Sequence, residues 1–579
     1  MAHTYSEKAL TFFKNKNYLK GEETLQDRID SIANVVREYE KDYSEGLANR
    51  IKGYVEQNIL IPSTPQWGNL GREKEEGSTP LPASCYILGV QNSIQEIFYS
   101  FGETAMMSKL GGGIGANYRQ VAQKGTLLSE GFYSNSKLDW MSMGVSTSQK
   151  VSQNALRRGY STPEISIDDN DFYELLERLD KKNSDKNDPL IKNNACIYLP
   201  IGFWERLPKE KELQKRWLLL NQKRKSKGKI YIQDGANCNI NQSPVYEKLG
   251  LEVDSTNICT EALSVSSLKE YSFVCMLASL NLSKWDIIKE DLQIIRDCFM
   301  FLDINISIYI DLTEGIPFLE KARKSAIDKR DIGLGTLGLH DLFQAKGFSF
   351  GGLDSRILNR EIYSTIREQA DIYAKEIGEK LGSPKLCQDA GLTRRNVSLM
   401  MIAPNKSTAS FADTSEGVQP RVSNYMAEEL AGIANIFKNS HLEKLLEDKG
   451  QNTFEVWESI RKNQGSVQHL DFLTPKEKEV FRTAVEISPK DIIDLAHDRQ
   501  AYLDMAQSIN LWNRENYTLQ DVLDIHKYAL AGENNTVNIN GIDTPCKNLK
   551  TLYYFFPSGH AALEKGSNAS WGECVACAD

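Results

Sequence analysis

SCYILGV, residues 84–90, is one of several short apolar runs that alternate along the chain with stretches of helical periodicity. KIYIQ (229–233) and VSLMMIAP (397–404) are two more of these runs. Short strands separated by helices are typical of α/β proteins. The alternation continues to about residue 555, and it predicts an α/β fold over most of the chain.

The region before this alternation has a different pattern. Between residues 22 and 57, apolar side chains from Leu25 to Ile51 recur at three- and four-residue steps, which predicts an amphipathic helical stripe. ILIPSTPQWGNLG follows and is broken by proline and glycine, so we expect a loop leading to a strand. We therefore predict an N-terminal helical region over residues 1–60 and one α/β domain over residues 61–556.

Composition and charge exclude several classes of protein. The 579 residues are 41% hydrophobic and 25% charged, as in ordinary globular proteins, and the formal net charge is −9. An acidic balance argues against broad binding to nucleic acid or to anionic membranes. No apolar run approaches the ~20 residues that span a bilayer, and the first residues lack a signal peptide's apolar core. We expect a cytoplasmic protein whose ten cysteines are thiols.

NICTE, residues 257–261, places an amide, a thiol and a carboxylate at alternating positions. If the segment is a strand, Asn257, Cys259 and Glu261 share one face, because successive side chains of a strand point to opposite sides. A thiol between two hydrogen-bonding groups could be a reactive group of an active site, or the arrangement could be a coincidence. A second apolar run with a cysteine, FVCMLASLNL, follows at residues 273–282.

Three further segments are candidates for anion binding. KLGGGIGANYR (109–119) is rich in glycine but lacks the Walker and GxGxxG spacings, so a tight turn is favoured. APNKSTASFADTSEG (403–417) offers hydroxyls and Lys406 after an apparent strand, which suits a phosphate, although a helix cap recruits the same residues. Arg157 and Arg158 stand beside a glycine and could hold an anion or form exposed salt bridges.

The C-terminal part combines aromatic and cysteine pairs. LKTLYYFF (549–556) places Tyr553 beside Tyr554; on a strand they would face apart, whereas in a bend they could stack. Residues 557–579 are small and polar, which predicts a flexible tail. That tail carries Cys574 and Cys577, a tethered dithiol that could exchange disulfides or be incidental. With no second such pair nearby, a structural zinc site is not expected. The basic run at 221–229 is expected to be a solvated loop or helix end.

Taken together, these segments resemble the catalytic large subunit of class I ribonucleotide reductase. The resemblance extends from roughly residue 20 to the tail, and its motifs are Ser63-Thr64-Pro65, Ser84-Cys85, the RRG segment at 157–159, NICTE, Cys275, PNKSTAS, LKTLYY and the terminal cysteine pair. It implies a ten-stranded α/β barrel with the active cysteine on a loop inside it. It also implies reduction of ribonucleotides, expected to be diphosphates, to deoxyribonucleotides.

The resemblance assigns roles to individual residues. Cys259 would become a thiyl radical that removes the 3′ hydrogen of the ribose, Glu261 would accept the 3′-hydroxyl proton, and Asn257 would hydrogen-bond the ribose. Cys85 and Cys275 would reduce the 2′ carbon and become a disulfide. Tyr553 and Tyr554 would relay the radical to Cys259. Cys574 and Cys577 would be a tail dithiol that reduces the disulfide back to two thiols.

Binding residues follow from the same resemblance. The substrate-binding residues it implies are Thr64, Ser84, Ser407, Thr408, Ala409 and Ser410. The residues it implies for a specificity effector, a deoxynucleoside triphosphate or ATP, are Asn92, Arg119, Gln153, Arg157 and Arg158. The family often has aspartate where Asn92 stands. The effector elements usually lie at a dimer interface, so a homodimer is expected.

The radical must come from another protein. No glutamate stands three residues before any of the seven histidines, so the Glu-x-x-His signature of ferritin-like dimetal sites is missing. We expect no metal or cofactor in this chain, a ferritin-like dimetal small subunit as radical source, and thioredoxin or glutaredoxin as reductant. Only about sixty residues precede the first substrate segment, so we also expect no on/off regulation through an N-terminal ATP cone.

Four other classes of protein would account for some of the same motifs. A cobalamin-dependent reductase of the same fold would need no small subunit and no Tyr553–Tyr554 relay. A glycyl-radical reductase would need a terminal RVxGY-like motif, which the chain lacks. A non-catalytic nucleotide-binding relative should have lost at least one of the five cysteines to which the resemblance assigns a role, but all five are present. A thiol–disulfide carrier would explain only the tail.

Overall fold

The computed structural model contains both helices and short strands throughout, as an α/β protein should. The residues that it describes are 5–72, 79–129, 131–151, 159–180, 187–430, 433–532, 536–539, 542–545 and 547–557. The strands are β1 (Leu60–Pro62), β2 (Cys85–Gly89), β3 (Gly113–Asn117), β4 (Ser161–Ser166), β5 (Ala195–Leu199), β6 (Ile230–Asp234), β7 (Ser255–Thr256), β8 (Leu263–Ser264), β9 (Phe273–Cys275), β10 (Leu277–Asn281), β11 (Gly333–Leu337), β12 (Tyr425–Leu430), β13 (Ile433–Lys438), β14 (Leu511–Trp512), β15 (Thr536–Ile539), β16 (Ile542–Pro545), β17 (Thr551–Leu552) and β18 (Phe555–Phe556).

The helices connect and cover these strands. They are α1 (Glu7–Asn15), α2 (Leu25–Tyr43), α3 (Leu47–Glu56), α4 (Thr64–Asn69), α5 (Ile94–Lys109), α6 (Leu138–Val151), α7 (Phe172–Arg178), α8 (Phe203–Arg206), α9 (Lys211–Lys227), α10 (Gly235–Cys238), α11 (Pro244–Lys248), α12 (Trp285–Ile288), α13 (Gln293–Leu312), α14 (Glu320–Lys329), α15 (Leu339–Ala345), α16 (Leu353–Leu381), α17 (Lys385–Asp389), α18 (Lys406–Ala412), α19 (Ser440–Asp448), α20 (Phe454–Lys462), α21 (Pro475–Val480), α22 (Pro489–Gln500) and α23 (Leu519–Ala531). Two single 3₁₀ turns lie at Pro189–Lys192 and Leu282–Lys284.

The first half of the α/β domain is built on one seven-stranded sheet. Its order is β17-β6-β5-β4-β3-β2-β9, in which β2 to β6 run parallel and β9 and β17 pair antiparallel at the two ends. β5 (ACIYL) and β6 (IYIQD) are fully buried, as expected for parallel strands with both faces covered. Their branched and aromatic residues suit a pleated, buried surface.

The second half begins on a smaller sheet with the order β1-β10-β11. β10 and β11 are parallel, and β1 pairs antiparallel with β10. Isolated bridges, Leu334 with Met400 and Ile402 with Gln507, extend the pairing beyond β11. The VSLMMIAP run therefore contributes bridges rather than a full strand. The long helix α13, buried along most of its length, packs against β10 and β11.

The N-terminal region is helical as predicted, but its stripe is divided between two helices. α2 ends at Tyr43 and α3 begins after Gly46, which has a φ of +75° that favours glycine. Both helices pack on α13, where the Tyr43 hydroxyl donates to Asp303 at 2.5 Å and Arg50 pairs with Asp297 at 2.6 Å. The division at 1–60 remains a proposal, since these helices share the main hydrophobic core with the α/β domain.

The basic run at 221–229 is a helix end, one of the two structures expected for it, but part of it is buried. Residues up to Lys227 are the last turns of α9, and both Asn221 and Arg224 are fully buried. Arg224 donates to the carbonyls of Ile230 and Tyr553, because this helix end turns inward against β6 and the segment before β18. Within the described ranges, no helix is both long enough and apolar enough to cross a membrane.

Candidate active site

NICTE forms the tip of a tight hairpin rather than a strand. β7 and β8 pair antiparallel, and residues 257–262 connect them. The condition of an extended segment is therefore not met: Thr260 has a φ of +66°, a conformation that a β-branched residue rarely adopts, and the alternation of faces is lost. The side chains of Asn257 and Glu261 still meet, at 2.8 Å, because the chain folds back between them.

The glycine-rich segment supports this hairpin. Its turn is present at residues 110–112, but Gly113 and Gly115 belong to β3, directly beneath the hairpin. A Cβ on Gly115 would lie 2.0 Å from the Thr256 carbonyl oxygen, and one on Gly113 would lie 2.2 Å from Ile258 Cδ1. These glycines therefore allow close approach of the hairpin, a reason for glycine that the sequence pattern alone did not reveal.

One side-chain amide connects the functional groups. Asn257 Oδ1 accepts from the Ala262 N–H at 3.1 Å, which fixes the orientation of the amide. Its Nδ2 then donates to Glu261 Oε1 at 2.8 Å and to Cys85 Sγ at 3.1 Å. Asn257 thus holds the carboxylate and one thiol in fixed positions within a buried site.

Cys85 and Cys275 face each other across neighbouring strands. They are directly opposite in the antiparallel pair β2–β9, and both side chains are buried thiols. The sulfur atoms of Cys85 and Cys275 and a carboxylate oxygen of Glu261 all lie within 4.8 Å of one another. Directly opposed strand residues have Cα atoms close enough for a disulfide, so a small movement could join the two sulfurs.

Ser508 is a site residue that the sequence analysis missed. Its hydroxyl lies 2.5 Å from the carbonyl oxygen of Cys259 and 3.2 Å from Glu261 Oε2. The Ser508 hydroxyl therefore holds in place both the backbone of Cys259 and the carboxylate of Glu261. Ser508 lies some 250 residues away in SINLW, an unremarkable segment, so only long-range packing reveals it.

An open cavity lies over the hairpin tip. Of the predicted catalytic and substrate residues, those that line it are Thr64, Ser84, Cys85, Cys259, Glu261, Ser407 and Thr408. Lys406 also lines it, beside Asn405, whose side chain donates to Ser279 Oγ at 3.0 Å. Ala409 and Ser410 belong to the same helix, α18, but are not among the lining residues.

The adjacent tyrosines lie in a bend between β17 and β18, so they touch. The ring centroids of Tyr553 and Tyr554 are 4.3 Å apart. The Tyr553 hydroxyl lies 3.6 Å from Cys259 Sγ. A continuous contact therefore runs from Tyr554 through Tyr553 to the thiol. Both rings are buried, together with Tyr231, a residue that the sequence analysis did not single out.

Arg119 lies behind the hairpin, in a network of ion pairs. Its guanidinium contacts Glu164 at 3.1 Å and Asp254 at 2.6 Å, and stacks 3.8 Å above the ring of Tyr198. Burial alone would lower the pKa of Arg119, but Glu164 and Asp254 outweigh burial and raise it. Asp254 also accepts from the backbone and hydroxyl of Ser266, so Arg119 supports the base of the hairpin.

Of the remaining predicted residues, only Asn92 lies in the described part of the chain. Asn92 is exposed, and its Oδ1 accepts from the Ala122 N–H at 3.0 Å, which joins it to the loop after Arg119. The predicted residues outside the described part of the chain are Gln153, Arg157, Arg158, Cys574 and Cys577.

Comparison with known proteins identifies the family. A sequence model of the family described as "Ribonucleotide reductase, barrel domain" matches residues 83–225, 210–389 and 387–537. The chain belongs to the ribonucleotide reductase family. The predicted α/β barrel fold of this reductase is therefore confirmed, and the strand groups around the hairpin are parts of that barrel.

Relatives of this reductase extend over nearly its whole length. The "Ribonucleoside-diphosphate reductase large subunit" of Invertebrate iridescent virus 3 is 26% identical, covering 93% of this chain and 92% of the viral protein. The large subunit of Caenorhabditis elegans is 27% identical over 75% of this chain and 63% of its own length. Among solved structures, the "Actinobacillus ureae class Id ribonucleotide reductase alpha subunit" matches with a TM-score of 0.83 and 29% identity, covering 96% of this chain and 98% of that one.

These matches confirm the predicted activity of the reductase. It is a class I large subunit of the ribonucleoside-diphosphate reductase type, an oxidoreductase of deoxyribonucleotide synthesis. A large subunit acts on a ribonucleotide together with a small subunit, and both partners are therefore implied for this chain.

Proposed function

We propose that the hairpin tip is the radical centre of this reductase, with Cys259 as the residue that carries the thiyl radical. The observation that carries the proposal is that Cys259 and Glu261 open into one cavity, with Asn257 and the Cys85 thiol hydrogen-bonded beside them. A radical must be aimed at one bond and kept from water. A buried tip, held by backbone and side-chain hydrogen bonds, meets both needs.

The first step removes a hydrogen atom from the substrate. The Cys259 thiyl takes the 3′ hydrogen of the ribose, which restores the S–H bond and leaves the radical on the 3′ carbon. Glu261 accepts the proton of the 3′ hydroxyl, and the Asn257 amide hydrogen-bonds the ribose. Ser508 lies 3.2 Å from the second oxygen of Glu261, so the carboxylate is held at both ends.

The second step consumes two thiols. Cys85 and Cys275 supply two electrons and two protons as the 2′ hydroxyl leaves as water, and their sulfurs join as a disulfide. Their opposed positions on β2 and β9 suit that bond. The tail dithiol, Cys574 and Cys577, then reduces this disulfide by exchange and is itself reduced by a thioredoxin- or glutaredoxin-type protein.

The substrate's diphosphate would bind in the cavity beside the start of α18. Ser407 and Thr408 offer hydroxyls there, Lys406 offers a cation, and Thr64 and Ser84 also line the cavity. The further predicted residues, Ala409 and Ser410, would complete the turn behind these groups; the Ala409 N–H is already bonded to the Asn405 carbonyl.

The radical would reach Cys259 through Tyr554 and then Tyr553. The ring contact at 4.3 Å and the hydroxyl–sulfur distance of 3.6 Å support this order. A ferritin-like small subunit with a dimetal centre would generate the radical. The likeness to a class Id alpha subunit favours this source over cobalamin.

The effector would bind near Asn92, with Gln153, Arg157 and Arg158, which follow α6 in the sequence. Arg119 joins that region to the catalytic hairpin through Asp254. Exposed apolar side chains lie on α5, on α6 and on the segment between β3 and α6 that contacts Asn92, which supports a homodimer interface there. They are Ile94, Phe98, Leu127, Phe132, Tyr133 and Met143.

The test is deoxynucleotide formation from CDP, with a dithiol as reductant and ATP as effector. We expect product with a ferritin-like small subunit, none with adenosylcobalamin, and none from Tyr554→Phe. Tyr373→Phe is the matched control, because Tyr373 is an equally buried tyrosine stacked on Phe299 in another part of the core. Product with cobalamin that is insensitive to Tyr554→Phe would contradict the proposal.

A further inference from the structure

A third tyrosine touches both members of the proposed relay. Tyr231, in the middle of β6, is fully buried. Its ring centroid lies 4.7 Å from that of Tyr553, with the planes tilted by 35°, and 5.3 Å from that of Tyr554, edge to face. Since Tyr553 and Tyr554 are themselves in contact, the three rings form a closed triangle.

One amide joins two of the phenol groups. Asn194 Nδ2 donates to the Tyr231 hydroxyl and, at 3.1 Å, to the Tyr554 hydroxyl. Asn194 immediately precedes β5, and its backbone N–H donates to the Tyr160 hydroxyl at 2.8 Å. This hydrogen bond fixes the backbone that carries the side-chain amide. Both phenol oxygens therefore lie within hydrogen-bond distance of the same nitrogen.

The surroundings of the triangle would protect a radical. Tyr231 and the two relay tyrosines form one buried cluster with Cys196, Ile258 and Cys259. Burial raises the pKa of the Cys196 thiol well above its ordinary value, which keeps that sulfur protonated. A phenoxyl radical in this cluster is shielded from water, and the protonated Cys196 sulfur cannot reduce it by simple electron transfer as a thiolate would.

We propose that Tyr231 is a third redox-active tyrosine, a parallel route between Tyr554 and Tyr553. This rests on the proposed function, which supplies the oxidant as a Tyr554 phenoxyl radical. Tyr231 gives that radical a hydrogen atom, one proton and one electron, so its own O–H bond breaks and the Tyr554 O–H bond forms. The Tyr231 radical then takes a hydrogen atom from the Tyr553 phenol, and Tyr553 takes one from the Cys259 thiol.

The experiment places 3-aminotyrosine, which is oxidised more easily than tyrosine and so retains the radical, separately at positions 231, 554 and 373. Each large subunit is mixed with the small subunit, CDP and ATP, and the radical is sought by electron paramagnetic resonance. We expect an aminotyrosyl signal from the variants at 231 and 554 and none from position 373.

The outcomes separate this inference from the proposed function. A signal at 554 without one at 231 overturns the role of Tyr231 and leaves the relay intact. No signal at 554 overturns the relay and this inference together, and a signal at 373 shows unspecific oxidation and also overturns the inference. As a second measurement, Tyr231→Phe should lower kcat several-fold without changing KM for CDP, and an unchanged kcat overturns the parallel route.

Discussion

At the scale of single residues, Gly115 determines how closely the hairpin approaches β3. A methyl group there would overlap the Thr256 carbonyl oxygen and press on the Asn257 Cα, 2.8 Å away. We expect Gly115→Ala to displace the hairpin tip and lower turnover by about 100-fold, since a misplacement near 1 Å can cost that much. The measurement is deoxynucleotide formation by the two-subunit enzyme, with thermal unfolding to verify the fold.

The matched control for that variant is Gly53→Ala. Gly53 lies in α3, and a Cβ there would meet only the end of the Gln57 side chain, 3.7 Å away. Alanine is favoured over glycine in helices, so this variant should be as active as wild type and at least as stable. Full activity of Gly115→Ala would show that the hairpin tolerates the methyl group and that close approach is not required.

The residue scale also shows what the sequence could and could not reveal. Motif spacing identified Asn257, Cys259 and Glu261, and the structure brings them together. On a strand their alternation would place them on one face, but the convergence comes from a turn at Thr260, whose positive φ no propensity indicates. Ser508 could not be predicted, because its two contacts are made some 250 residues away in sequence.

At the scale of elements, α5 carries a buried acid against the segment before β9. Burial raises the pKa of Glu103 to about 7, although the Ser272 hydroxyl donates to it at 2.6 Å. A carboxyl whose pKa is higher in the folded than in the unfolded state binds more protons when folded. The stability that Glu103 contributes is therefore present below about pH 4.5 and is lost as the pH rises through 7.

Glu103→Gln tests this assignment, because glutamine keeps the shape and can still accept from Ser272. As the pH rises from 5 to 8, the unfolding free energy of wild type should fall relative to that of the variant. The fall should be about 3 kcal/mol at most, which is the free energy that corresponds to the pKa shift of Glu103. Chemical denaturation of both proteins at several pH values measures this difference. A difference that stays constant across the range would contradict the raised pKa.

Elements also differ in how well the sequence predicted them. Apolar runs with branched residues, such as SCYILGV and KIYIQ, are strands, and their alternation with helices gave the correct fold class. The basic run at 221–229 is a helix end, one of the two structures expected for it, but the burial of Arg224 was not expected, because charge runs usually face water and only its hydrogen bonds to two carbonyls explain that burial. The barrel itself came from resemblance, since strand order is not encoded in local pattern.

At the scale of the whole molecule, one buried carboxylate joins the N-terminal helices to the α/β domain. Asp303 of α13 accepts from Arg330 and Arg395, each at 2.8 Å, and from the Tyr43 hydroxyl at the end of α2. Burial alone would raise the pKa of Asp303, but the two guanidinium groups outweigh burial and lower it to about 2. Its negative charge is therefore retained wherever the protein is folded near neutral pH.

Asp303→Asn removes that charge while keeping the size of the side chain, and it leaves Arg330 and Arg395 facing a neutral amide. Removing one partner of a buried ion pair typically costs about 3–5 kcal/mol, so a loss of that order in unfolding free energy is expected. Asp371→Asn is the control, because Asp371 pairs with Arg367 on the exposed face of α16, where such pairs contribute about 1 kcal/mol or less. If both variants lost the same small amount in urea denaturation, Asp303 would not contribute to joining the N-terminal helices to the barrel. A larger loss at Asp303, with increased proteolytic cleavage near Tyr43, would show that the two regions depend on this contact for stability.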